Sequence, residues 1–132
     1  MSLYRLVYRS RVELPPESRD AEVDRIVAIA ARRNAARDIT GALMLVGDRF
    51  VQALEGPADA VEDLFEEICS DLRHRQVQLL EFTQADERQF AGWGMVRAQA
   101  PSGPLADTPT DTAQALASAS LSLLKAQLPA PA

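Results

Sequence analysis

Residues 39–46, ITGALMLV, constrain this chain more than any other segment. They are almost unbroken apolar sequence of β-capable residues, which places them as a strand in the middle of a sheet rather than at its edge. Gly47-Asp48 follows with the length of a tight hairpin turn, and residues 49–54 (RFVQAL) return as the partner strand. At period two, Phe50, Gln52 and Leu54 share one face of that partner. The rest of the chain must build around this hairpin.

Upstream, residues 3–9 (LYRLVYR) alternate as a strand with Tyr4, Leu6 and Tyr8 on one face. Residues 10–20 read as a loop, with Asp20 as the cap of a helix over about 21–35. That helix puts Val23, Ile26, Val27 and Ala30 on one stripe, and Asn34 continues it. Downstream, Glu55-Gly56-Pro57 closes the hairpin, with Pro57 in the first turn of a second helix over about 58–72. Its stripe is Val61, Leu64, Phe65, Ile68 and Leu72. Residues 76–82 and 93–99 read as two further strands. The order β-α-β-β-α-β-β predicts an α+β, ferredoxin-like sandwich with two helices on one sheet face. Residues 101–112 are rich in Pro, Ser, Thr and Asp and read as a linker. Residues 112–128 read as a C-terminal helix with Leu116, Leu121, Leu124 and Leu128 on its apolar edge, expected on the other sheet face. The PAPA end is expected to fray. Residues 1–100 are thus one domain, and 101–132 a linker plus helix.

Several function classes are excluded by what the chain lacks. With 14 basic against 19 acidic residues, the net charge of −5 argues against non-specific nucleic-acid binding. No apolar run approaches the roughly 20 residues of a membrane span, and no signal peptide opens the chain. The single cysteine, Cys69, cannot form an internal disulfide, so the cytoplasm is the expected compartment. Cys69 borders the inward stripe of the second helix and reads as a small packing residue. One histidine, His74, excludes a multi-histidine metal site; by itself it reads as a solvent-edge or capping residue. Nucleotide-binding glycine fingerprints and the GxSxG elbow are absent. Arg32-Arg33 reads as a solvated helix end, and Glu62, Asp63, Glu66 and Glu67 as a solvated helix face.

The informative feature is a set of polar groups on faces that should be apolar: Tyr8, Asn34 and Gln52. A buried amide without partners costs about 1–3 kcal/mol, so each needs a reason. Converging between sheet and helices, they would offer a phenol, two amides and apolar walls. Such a pocket suits a flat heterocycle with carbonyl and ring-nitrogen edges. It supplies no evident nucleophile or tuned base, which favours binding over turnover.

The pattern Tyr8-Arg9-Ser10, Asn34, Ile39-Thr40-Gly41 and Phe50-Val51-Gln52-Ala53-Leu54-Glu55-Gly56-Pro57 resembles a BLUF domain, a blue-light receptor that uses FAD. The resemblance continues through Asp71-Leu72-Arg73-His74 and Arg88-Gln89-Phe90-Ala91-Gly92-Trp93-Gly94-Met95, and covers about residues 3–98. It implies that Tyr8 donates an electron to the excited flavin and that Gln52 bridges Tyr8 and the flavin ring. Asn34 would bond the flavin carbonyl edge, with Asp71, Arg73 and His74 nearby. Trp93 and Met95, on the last strand, would pass the signal outward. Ile39 and Phe50 are expected to help form the apolar slot. The expected partners are the flavin, a separate downstream protein and a second copy of the chain. A small ferredoxin-like enzyme and a non-flavin dimerising module are the alternatives to a photoreceptor.

Overall fold

The structure, a computed structural model, describes residues 2–99, 113–126 and 128, and in the last helix the side chains from Ala117 onward. The chain runs β1 (Leu3–Val12), α1 (Arg19–Ala36), β2 (Thr40–Val46), β3 (Arg49–Pro57), α2 (Ala58–Cys69), β4 (His74–Ala85), β5 (Val96–Ala98) and α3 (Ala113–Ala126). The central hairpin forms as read: β2 and β3 pair antiparallel, and Gly47 takes the left-handed φ of 60° that the turn needs. The sheet order is β4-β1-β3-β2-β5, with only the β2–β5 pair parallel. This is the ferredoxin-like arrangement, extended by β5 at the β2 edge.

Strand alternation divides the side chains between two cores. Leu6, Tyr8, Leu43, Phe50 and Leu54 face α1 and α2, where Val23, Val61 and Met95 join them. Val7, Ala42, Met44, Ala53, Leu80, Val96 and Ala98 form the second core with Phe90. Ala117 and Leu124 of α3 complete it, and α3 touches β4, β1, β3 and β2. The C-terminal helix therefore covers the sheet face opposite α1 and α2. Leu121 and Leu128 pack against this core as expected; the Leu116 side chain, the 101–112 linker and the PAPA end lie outside the described residues. Among the described residues, no helix is long and apolar enough to cross a membrane.

Four local expectations are corrected. Asp20 lies inside α1, one residue past its first position; Ser18 occupies the cap without a side-chain bond, and Asp20 instead pairs with Arg97 at 2.5 Å. Pro57 ends β3 at the cap of α2 rather than entering its first turn, because its ψ of 143° is extended. The second helix stops at Cys69, so Leu72 leaves the apolar stripe and is 91% exposed; Cys69 is exposed as well. The last strand is only Val96–Ala98, so Trp93 and Met95 lie in the irregular segment that leads into it.

Candidate functional site

A cavity of about 260 Å³ opens between α1 and α2 above the sheet. Its apolar lining comes from Ile26, Ile29 and Ala30 of α1, Leu64 and Ile68 of α2, and Leu43 and Phe50 of the sheet. Tyr8, Asn34 and Gln52 all line it, so the three polar residues on apolar faces do converge. Register explains the meeting: Tyr8 pairs with Gln52 across β1 and β3, and Gln52 pairs with Leu43 across β3 and β2. Asp71 and Arg73 of the α2–β4 connection and His74, the first residue of β4, line the same cavity.

At the floor of the cavity the Tyr8 hydroxyl donates a short hydrogen bond to Gln52 Oε1. The other end of that amide, Nε2, points at Met95 Sδ, 3.5 Å away. Both Tyr8 and Gln52 are buried. Burial raises the Tyr8 pKa far above its ordinary value, and the charges of Cys69 and Asp71 push the same way, so the phenol keeps its proton. Asn34, 1% exposed, donates from Nδ2 to the Gly94 carbonyl at 2.9 Å. Both amides therefore reach the segment before β5.

His74 is buried rather than at a solvent edge. Its Nε2 lies 2.6 Å from the Ile68 carbonyl, which can only accept, so Nε2 carries the proton. In the neutral ring Nδ1 then accepts from the Ser10 hydroxyl at 2.7 Å. Asp71 pairs with Arg73, which lowers the Asp71 pKa chiefly through the side-chain hydrogen bond. Ile39 is buried but sits against Gly56 in the core and does not line the cavity. Trp93 packs in the α3-side core, so Met95 and Trp93 lie on opposite faces of the sheet. Sequence reasoning passed over Arg37, which lines the cavity and is paired with Glu67 of α2 at 2.7 Å. It left Arg33, also in the lining, without a role. Their signal was one turn's spacing: Arg33 and Arg37 are four residues apart on the face that carries Ala30.

The BLUF family, described as sensors of blue-light using FAD, matches residues 3–96. The chain belongs to this family. It is 37% identical over 90 residues to the blue light- and temperature-regulated antirepressor BluF of Escherichia coli (strain K12), covering 68% of this chain and 22% of that protein. To photoactivated adenylate cyclase subunit beta of Euglena gracilis it is 39% identical over 89 residues, covering 67% of this chain and 10% of that protein. The chain thus spans about a fifth and a tenth of the length of these curated relatives. Among solved structures, BlsA in its photo-activated state superposes with a TM-score of 0.72 at 32% identity, covering 76% of this chain and 71% of that one. BlrB in its dark state gives 0.64 at 33%, covering 74% and 73%.

The chain is therefore a BLUF blue-light sensor domain, and FAD is its cofactor. The residues present fit that group. The cavity is slightly below the roughly 300–1,000 Å³ of sites that enclose a whole ligand, a size for a ring system rather than a dinucleotide. Apolar side chains line both helix walls, and the Gln52 and Asn34 amides supply donors and acceptors for a polar ring edge. Arg33, Arg37 and Arg73 also line the cavity and reach solvent, where they would offer cations to phosphates beyond the ring, Arg37 and Arg73 in exchange for their pairing with Glu67 and Asp71.

Proposed function

We propose that Tyr8, Gln52 and Met95 form the switch of this sensor, and that the change leaves through Trp93 and α3 towards a separate protein. FAD, when bound, supplies the blue-light absorption and, once excited, an electron acceptor. Tyr8 is the oxidisable group of the cavity, and Gln52 Oε1 is the acceptor already placed for its proton. The amide has different ends: Oε1 accepts from Tyr8 while Nε2 donates towards Met95. Reversing it, by rotation or tautomerisation, would place an acceptor against a thioether, which has no proton to give. Met95 would then have to move, although the backbone of β3 need not. This contact chain from Tyr8 through Gln52 to Met95 is the observation that carries the reading.

The enzyme alternative finds no support in the cavity. Ser10 and His74 are hydrogen-bonded, but Ser10 is 1% exposed and does not line the cavity, so the pair presents no nucleophile to a substrate. The test is an illuminated-minus-dark absorption spectrum of wild type and of Gln52→Ala. Wild type is expected to shift reversibly to the red under blue light. Gln52→Ala is expected to keep its flavin, because ring burial is intact, and to lose the shift. A normal shift in the variant sinks the Gln52 mechanism, and a protein left colourless after addition of FAD and riboflavin sinks the photoreceptor reading.

A further inference from the structure

Glu55 has no part in the cavity, yet it is the most completely bonded side chain of the described residues. It is 0% exposed, at the end of β3, and its carboxylate accepts from groups supplied by three separate segments. Arg5 of β1 donates through Nε at 2.9 Å and forms an ion pair at the same distance. The Gln89 backbone N–H donates to both oxygens, at 3.0 and 2.8 Å, and the Phe90 backbone N–H donates to Oε1 at 2.9 Å. Thr40 of β2 reaches Oε1 at 3.4 Å. Arg88 ties the same segment down from the outside, bonding Thr40 Oγ1, the Glu55 carbonyl and Asp38.

We infer that Glu55 is a positioning residue for light output: it pins residues 88–90 so that movement at Met95 is transmitted to Trp93 rather than absorbed by the segment between β4 and β5. The inference rests on the proposed route from Met95 through Trp93 to α3. The segment is held at both ends of its course. At its start, Phe90 is locked by the carboxylate and its ring is fully buried in the α3-side core. At its end, Met95 meets Gln52, and the Gly94 carbonyl accepts from Asn34. Trp93 lies between, its amide bonded to the Phe90 carbonyl at 3.1 Å and its carbonyl to the Gly41 amide at 3.0 Å. A segment pinned only at the Met95 end can recoil along its length. One pinned at Phe90 as well must pass a displacement to the residue between the pins, and that residue packs on the α3 side.

Glutamate is required because the carboxylate offers acceptors only. In Glu55→Gln one oxygen becomes an NH₂ group, which would face donors from Arg5, Gln89 or Phe90. The site is on a different part of the sheet from the Tyr8–Gln52 pair, so the local photochemistry does not depend on it.

The test compares amide exchange in darkness and under blue light across residues 117–126, together with the red shift of the flavin, in the full chain. In Glu55→Gln the red shift is expected to keep its wild-type size, while the light-induced change in α3 exchange falls at least fivefold. The emission of Trp93, the single tryptophan of the chain, is expected to lose its light response in parallel. Arg88→Ala, which leaves the carboxylate in place and loosens the same segment from the exposed side, is expected to reduce the α3 response at least twofold; it decides the matter should Glu55→Gln fail to fold. An unchanged α3 response in a folded variant overturns the role of Glu55. A wild-type protein that shows the red shift but no α3 response overturns the output route itself, and the inference with it.

Discussion

Tyr8 ties the proposed photochemistry to stability through one buried hydroxyl. Its pKa is raised above 10.0 by burial first, then by Cys69 and Asp71. The folded state therefore holds a proton that the unfolded chain releases above about pH 10. The stabilisation this represents is complete below that pH and is lost as pH rises towards the folded-state value, at about 1.4 kcal/mol per pH unit. Tyr8→Phe keeps the ring that packs at 5.7 Å from Phe65 and deletes only the titrating group. Denaturant melts at about pH 9 and 11 should show wild type losing about 1 kcal/mol more than Tyr8→Phe over that interval. Equal losses in both proteins would mean that the phenol ionises in place. The same variant should lose the reversible red shift, since Gln52 Oε1 then has no proton to accept. A photocycle like that of wild type would leave Tyr8 as a core aromatic.

At the scale of elements, the sequence exposed the two helices, the hairpin and the convergence of Tyr8, Asn34 and Gln52, because periodicity reports which face a residue occupies. It could not report where an element ends when the end is decided by distant partners. Leu72 fits the α2 stripe by spacing, but the chain leaves the helix at Cys69 and the Asp71–Arg73 pair and His74 take over. The strand expected over 93–99 forms only at Val96–Ala98, for a related reason. Gly94 approaches α1 so closely that a Cβ there would lie 2.3 Å from the Ala31 carbonyl oxygen, and Asn34 takes the Gly94 carbonyl. Those contacts with α1 replace a strand ladder, and nothing local to residues 93–95 announces them. Glu55 was invisible in the same way: it read as the end of a strand, whereas its donors come from positions 5, 40, 89 and 90. Gly94→Ala tests the close approach. The obstruction is backbone, so the segment must move off α1, at an expected cost of about 1–3 kcal/mol. Because Met95 is the next residue, the dark absorption maximum should shift as well. An unaltered melt and spectrum would show that the segment is not held tightly against α1.

The molecule as a whole is a sheet with the cavity-side core on one face and the α3-side core on the other, and Met95 and Trp93 belong one to each. α3 is what makes the second face a core. At 14 residues it is near the length below which a helix is marginal alone in water, so docking accounts for most of its stability. Leu124 is fully buried against that face, and truncating a buried leucine ordinarily costs about 2–5 kcal/mol. Here the loss has an upper bound, because once it exceeds the docking free energy of α3 the helix detaches and the remaining fold survives. Leu124→Ala should therefore accelerate amide exchange in residues 117–126 well before it affects β1 or β3. The cavity lies across the sheet, so the size of the flavin red shift should be unchanged. Uniform acceleration through the whole chain would mean instead that α3 and the sheet unfold as one unit. In that case the helix is a static part of the core, and it cannot report light by loosening.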